Sequence, residues 1–383
     1  MFNTELGYFC ATHDNWAELL AMEPYFLKIK EDGPYVMFSY DQLRSCFMYE
    51  IVREARGIIF RKGEWETPVC WAFNKFGNYG EDYVPNIDWN TAFVSEKIDG
   101  SLIKVWHDCG WNVSTNGTID AFKADIGDVR VANFGEYFIN TLLKYYNNST
   151  EFYNTLDEDK TYMFELVGPY NRVVVPYDEP AIYFLGARNK YTGEEFNCSK
   201  LTAGALGLDK FKRPATYSLT SLDDCIKAAD LKSWDDEGFV VCDAQFNRCK
   251  IKSPAYVLAH FMRNNNVITR KHLIRVVLEN EVAEFLCYAK DYEDSLRCVQ
   301  KLMNAFINIG NSLATSCRKA RQMPRKAYSE LVMTFPKIYQ GLLFFNYEHD
   351  ITMEEYTSKW SENKWEEYLE AFENLEQKYF NID

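Results

Sequence analysis

The amino-acid sequence predicts an α+β protein in two parts, mainly antiparallel sheet over residues 1–254 and helix alone over residues 255–383. Two observations carry this reading. Before Pro254 the apolar residues come in short runs rich in β-branched and aromatic side chains, whereas beyond it they recur at three- and four-residue spacing. At 383 residues, 47% hydrophobic and 16% aromatic, the chain is long enough to bury a core in each part.

In chain order, Gly57-Ile58-Ile59-Phe60 and Ala92-Phe93-Val94 read as strands, followed by Leu102-Ile103-Lys104-Val105-Trp106. His107-Asp108-Cys109-Gly110 then supplies the turn of a hairpin that returns through Val113, which sets Lys97 just ahead of a β-hairpin. A helical insert is expected over Ala121 to Tyr146. Gly238-Phe239-Val240-Val241 and Lys250-Ile251-Lys252 read as further strands. In the second, alternation puts both ammonium groups on one face and Ile251 toward the core. Helical spacing follows in Leu273, Val276, Val277 and Leu286, and again in Val299, Leu302, Met303, Phe306 and Ile307. Thr352 with Glu355 has the form of a capping box, and Trp365, Leu369, Phe372 and Leu375 make one apolar stripe after it.

Net charge is −14, and the acidic excess sits in the N-terminal two thirds: residues 255–383 carry 16 basic and 18 acidic side chains. Such a balance excludes a protein that coats nucleic acid non-specifically, but leaves room for a local basic site. The eleven cysteines are scattered, odd in number and never spaced C-x-x-C, which reads as reduced core residues rather than a disulfide or metal framework. With no run of about eighteen apolar residues and no basic, apolar leader, a soluble, cytoplasmic protein without membrane partners is expected.

The chemistry concentrates in an ordered set: Lys97-Ile98-Asp99-Gly100, then Glu165, Glu237 and the pair Lys250/Lys252. Taken singly, each has an ordinary reading: a turn for Asp99-Gly100, a solvent-facing acid before a strand, the wet face of an edge strand for K-x-K. In that order they describe a lysine nucleophile with phosphate clamps. A lysine with an unperturbed pKa of about 10.4 is neutral in about one molecule in a thousand near neutral pH, so its surroundings must release the proton. Lys250, Lys252 and a divalent metal would favour that loss and neutralise charge on a phosphate, while Glu165 and Glu237 offer hard oxygen ligands, directly or through water.

The chain resembles the covalent lysine nucleotidyltransferases, and within them the phage-type RNA ligase 1 family that repairs broken tRNA. The residues that carry the likeness are Glu54-Ala55-Arg56-Gly57-Ile58-Ile59-Phe60, Asn74-Lys75-Phe76-Gly77-Asn78, Ser95-Glu96-Lys97-Ile98-Asp99-Gly100-Ser101, Phe164-Glu165 with Asn171-Arg172-Val173-Val174, Glu237-Gly238, and Lys250-Ile251-Lys252-Ser253-Pro254-Ala255-Tyr256. The likeness implies a nucleotidyltransferase domain of the DNA/RNA ligase type, unrelated to ATP-grasp, over 1–254, and an all-helical domain that selects tRNA over 255–383. DNA ligases and capping enzymes usually continue into a small β-barrel instead, so DNA is not the expected main substrate.

By this resemblance Lys97 takes AMP from ATP, AMP passes to an RNA 5′-phosphate, and an RNA 3′-hydroxyl displaces it. Arg56, Lys75, Phe76, Glu96, Asp99, Gly100 and Glu165 would form the ATP site with Lys97. Glu237 would organise metal and lysine, Lys250 and Lys252 would grip the α-phosphate, and Tyr256 would serve a later step in contact with RNA. Glu165 and Glu237 would hold Mg²⁺, with Mn²⁺ as the alternative. One departure stands out: the hairpin Val113-Ser114-Thr115-Asn116-Gly117-Thr118, where relatives can carry a functional lysine, has none. The densest basic cluster of the helical part, Arg318, Lys319, Arg321, Arg325 and Lys326, is the expected contact for tRNA phosphates, with a second cluster at Arg263, Arg270, Lys271 and Arg275. A monomer is expected. The alternatives are an effector that adenylylates itself or another protein, and a non-catalytic RNA-binding protein on the same fold.

Overall fold

A computed structural model describes residues 2–42, 44–262, 268–279, 281–282, 285–286 and 289–380, without the side chains of 261–262 and 376–380. Contacts divide the chain into two units, Met1–His260 and Phe261–Asp383. In chain order the strands are β1 (Lys28–Asp32), β2 (Tyr35–Ser39), β3 (Arg56–Arg61), β4 (Phe93–Glu96), β5 (Ser101–His107), β6 (Trp111–Thr115), β7 (Asp125–Asp128) and β8 (Val131–Asn133). There follow β9 (Lys160–Val167), β10 (Ala181–Asn189), β11 (Glu195–Asn197), β12 (Thr216–Tyr217), β13 (Gly238–Cys242) and β14 (Arg248–Lys252).

Two antiparallel sheets of the first unit build the site. One runs β12-β4-β13-β14 and the other β11-β10-β9-β5-β6; β1-β2-β3 forms a third sheet and β7-β8 a small ribbon. The five-stranded sheet sits over a core that includes Phe138, Phe152, Phe164, Phe184 and Phe211, and covers it with the helix Phe134–Leu142. Burying rings of this size supplies about 1.5–3 kcal/mol each, which makes this cluster the main anchor of the sheet. Beneath β4, β13 and β14 lie Val94, Phe239, Val241 and Ile251, closed by the helix Leu222–Asp230.

The stretch 121–146 differs from the expected single helix. A 3₁₀ turn at Ala121–Lys123 is followed by the β7-β8 ribbon, and only Phe134–Leu142 is α-helical. The cause is local: Asp125 accepts a hydrogen bond from Gly127 N–H, Asp128 accepts one from Arg130 N–H, and Asn133 caps the helix by accepting from Glu136 N–H. Turn-forming side chains thus compete for the backbone before the helix can start.

The second unit is built of helices joined by short loops, with no strand among its described residues. Its longest helix, Glu293–Cys317, buries Leu296, Val299, Met303 and Phe306, and Phe306 is ringed by Tyr339, Trp365 and Phe372 from the helices Lys337–Phe345 and Glu362–Phe380. The Thr352/Glu355 capping box forms, and Trp365, Leu369 and Phe372 are buried as one stripe. Arg270, Lys271 and Arg275 pair with Glu373, Glu366 and Glu362, so these cations tie two helices together; Arg263 lies outside the described residues. Among the described residues no helix is long and apolar enough to cross a membrane. Ten described cysteines are free thiols, seven of them buried, which fits their reading as core residues.

A buried charged triad braces the first unit. Glu195 on β11 pairs with Arg188 on β10 and, at 2.5 Å, with Arg248 on β14, while Arg188 also donates to the Ala72 carbonyl and Asn74 Oδ1, each at 2.9 Å. The triad therefore fixes the segment that leads into Lys75. Glu195→Ala would leave two buried guanidinium groups without their shared carboxylate, and should cost about 3–5 kcal/mol in a urea unfolding series.

Candidate active site

Lys97 sits where the chain leaves β4 and turns toward β5. Its backbone N–H donates to the Gly238 carbonyl at 2.9 Å, which joins the turn to the start of β13. Asp99, buried in the same turn, accepts from Val174 N–H at 2.8 Å, Val175 N–H at 2.7 Å and the Tyr256 hydroxyl at 2.9 Å. Gly100 passes so close to β9 that a Cβ would lie 2.7 Å from the Leu166 carbonyl oxygen, so no other residue fits without displacing backbone. The K-x-D-G pattern thereby holds one lysine rigidly at the mouth of a cleft between two sheets.

The cleft encloses about 310 Å³. Its lining combines the apolar Phe93, Leu102, Leu185 and Val240 with the cations Arg56, Lys75, Lys97 and Lys250 and with Glu165, while Phe76, Glu96 and Gly100 complete it. Apolar walls together with a cluster of cations suit a ligand that carries both a base and phosphates. Glu237 stands at Lys97 itself, its Oε1 2.6 Å from Lys97 Nζ and 3.9 Å from Lys252 Nζ. Glu237, expected from the sequence to organise the lysine, thus stands at hydrogen-bond distance from its amine. Glu237 Oε2 is buried without a hydrogen-bond partner, an oxygen suited to a hard cation.

Lys75 and Phe76 are held by a zipper onto β14: Lys250 N–H donates to the Gly77 carbonyl at 2.9 Å and Tyr79 N–H to the Lys250 carbonyl at 2.8 Å. Phe76 lies under two cations, 5.3 Å from the Arg56 guanidinium and 5.9 Å from Lys250 Nζ. The structure thus gathers Arg56, Lys75, Phe76, Glu96, Lys97, Gly100, Glu165 and Lys250 around one cleft, with Asp99, Glu237 and Lys252 immediately behind it.

Tyr256 is placed differently from the expectation. It is 2% exposed and gives its hydroxyl to Asp99, so its side chain supports the lysine turn and presents no surface to RNA. The basic cluster of the second unit is also partly spent on local pairs, with Arg318 and Arg321 both at 2.8 Å from Asp350 and Arg325 3.4 Å from Glu348; Lys319 and Lys326 are exposed. Arg248 was missed. It lies two residues before Lys250 on the same strand face and lines the cleft, and the alternation that singled out Lys250 and Lys252 extends to it.

A family model described as RNA ligase matches residues 54–256, the stretch that supplies every cleft residue named above. The chain belongs to the phage-type RNA ligase family. Over 319 residues it is 30% identical to a protein of Autographa californica nuclear polyhedrosis virus, named provisionally as a bifunctional polynucleotide kinase/RNA ligase; the match covers 79% of this chain and 44% of that protein. It is 28% identical to the RNA ligase of Rhodothermus phage RM378 over 345 residues, covering 75% of this chain and 76% of the phage protein. The chain thus spans less than half of the viral relative. Among solved structures, an archaeal ATP-dependent RNA ligase is 12% identical with a TM-score of 0.43, over 76% of this chain and 79% of that one.

Burial pushes the Glu165 carboxyl from an ordinary 4.5 up to about 8; the Glu237 and Asp99 carboxylates add to this, and Lys97 and Arg56 pull against it. Between those values the folded protein holds a proton that the unfolded chain has lost, so this group makes stability fall as pH rises through the window. Glu165→Gln should remove that dependence, its stability relative to the parent growing by up to about 3–4 kcal/mol from about pH 5 to about pH 8. Urea midpoints at the two pH values measure it, and a constant difference would mean that the carboxyl titrates at its ordinary value.

Proposed function

We propose that this protein is an ATP-dependent RNA ligase that joins 5′-phosphate and 3′-hydroxyl ends, acting in the cytoplasm as a monomer on tRNA broken in the anticodon loop. The observation that carries the reading is the Lys97 amine in a cleft lined by Arg56, Lys75 and Lys250, 2.6 Å from a buried carboxylate. In this reading the adenine packs on apolar lining residues such as Val240 and Leu185, while Arg56 and Lys75 hold the outer phosphates and Lys250 and Lys252 the α-phosphate. The proton leaving Lys97 Nζ has Glu237 Oε1 at hydrogen-bond distance. Nitrogen forms the new bond to the α-phosphorus as the bond to pyrophosphate breaks, leaving lysyl-AMP. AMP then moves to the RNA 5′-phosphate, and the 3′-hydroxyl of the second end displaces it.

Glu237, through its unpartnered Oε2, and Glu165 would hold the divalent metal, Mg²⁺ or Mn²⁺, which supplies charge neutralisation at the phosphates when bound. Arg248, which lines the cleft, is held in place through Glu195. The helical unit is assigned to RNA selection, with Lys319 and Lys326 as the exposed cations available to phosphates.

Incubating the parent and Lys97→Ala with α-labelled ATP, Mg²⁺ and a 5′-phosphorylated RNA tests the chemistry. Label on the parent alone, with circularised RNA, is the expected outcome. Label without joining would favour an adenylylating effector, and no label would leave a binding protein. Reversing Lys319 and Lys326 to Glu should weaken sealing of a cleaved tRNA by about tenfold at physiological salt and leave self-labelling unchanged. Equal loss of both activities, or of neither, would remove the helical unit from RNA selection.

A further inference from the structure

Lys104 lies on β5, two residues beyond the cleft-lining Leu102 and on the same strand face, and is 0% exposed. Among the described residues no carboxylate pairs with it; its Nζ donates to the Gly57 carbonyl, and the ionisable groups that act on it are Cys70 and Arg56. An ammonium held out of water without a counter-charge is strongly unfavourable, and burial pulls this one down to about 8. A lysine kept at such a position calls for a use that a methionine would not serve.

Its surroundings indicate that use. Gly57 adopts φ +72°, and a Cβ there would lie 2.6 Å from Lys104 Nζ and 2.7 Å from the Asn116 carbonyl oxygen, so Lys104, Gly57 and the hairpin tip close on one another. Arg56, the neighbour of Gly57, and Asn116 both line the cleft. Each also carries a buried polar atom without a hydrogen-bond partner, Arg56 Nη1 and Asn116 Oδ1. This side of the cleft therefore presents a guanidinium with an unused donor, backed by a second buried cation, while the tip Thr115-Asn116-Gly117 carries no charge of its own. An anion in the cleft would meet the unused donor of Arg56 and supply the counter-charge that Lys104 lacks.

We propose that Lys104 is a positioning residue for the phosphates of the nucleotide: it pins the Gly57 carbonyl, sets Arg56 and Asn116 against the cleft, and adds positive charge where the hairpin tip has none. This rests on the cleft being a nucleotide site. A lysine with a purely structural role would affect all ligands of the cleft alike, whereas this role distinguishes ligands with phosphates from those without.

The test is calorimetric binding of ATP and of adenosine to the full chain, in a Lys97→Ala background that prevents turnover, with and without Lys104→Met. Lys104→Met should weaken ATP by about tenfold or more and leave adenosine within about twofold, because only the phosphates meet the lost charge. Lys104→Gln, which keeps a donor for Gly57 without the charge, should fall between parent and Met, and it carries the test if the Met variant does not fold. An unchanged ATP-to-adenosine ratio, whether both affinities hold or both fall together, overturns the proposal and leaves Lys104 a packing residue. A parent that binds neither ligand removes the nucleotide reading and this proposal with it; a parent that binds ATP and a variant with the same ratio remove the Lys104 proposal alone.

Discussion

Everything in the cleft depends on one buried carboxylate. Asp99 has three donors at 2.7–2.9 Å, two of them backbone amides of Val174 and Val175 and the third the hydroxyl of Tyr256. A carboxylate removed from water is tolerable only when its lone pairs are met in this way, and each bond made to the charged form is stronger than a neutral one. The satisfied acid joins three segments that are far apart in sequence: the turn after β4, the loop after β9, and the helix that begins at Pro254. Lys97 stands two residues before it and inherits its fixed position. Gly100 then lets the turn descend onto β9 without a collision, so the base of the Lys97 side chain is set by backbone geometry.

Around this fixed point the protein reverses its overall electrostatic sign. The chain carries a net charge of −14, yet the cleft lining holds five cations, Arg56, Lys75, Lys97, Arg248 and Lys250, against Glu96 and Glu165. An acidic exterior disfavours broad contact with polyanions, and the narrow, low-dielectric cleft strengthens attraction for the one anionic group that fits. The buried triad of Arg188, Glu195 and Arg248 extends that logic inward. Its Arg248 reaches the cleft lining, and its hydrogen bonds secure the Ala72–Asn74 segment from which Lys75 and Phe76 emerge.

The sequence was legible where chemistry follows from local pattern. Lys250 and Lys252 could be placed on one face because strand alternation requires it, and the Thr352/Glu355 box because capping spans three residues. The order of Lys97, Glu165, Glu237 and the lysine pair carried the site because strands that close one cleft must each bring a residue to it. What escaped was non-local. Nothing near Lys104 in the sequence shows that its amine meets Gly57, and nothing near Arg270 or Arg275 shows that Glu373 and Glu362 neutralise them. Arg248 was within reach of the same alternation. The β7-β8 ribbon was obscured because its Asp and Asn side chains interrupt a stretch whose apolar content suits a helix.

The four-stranded sheet carries a consequence for how the molecule comes into being. Its central pairing joins β4 to β13, with Ser95 opposite Val240, 145 positions further along the chain. During synthesis β4 and the lysine turn emerge long before their partner, while the five-stranded sheet can already pair β5, β6, β9 and β10 among themselves. Loop-closure entropy delays the long-range pairing until the rest of the sheet has been made. The candidate site is therefore among the last parts of this unit to assemble, and a chain halted before β13 would hold the five-stranded sheet without the strand that pairs with β4 across the cleft.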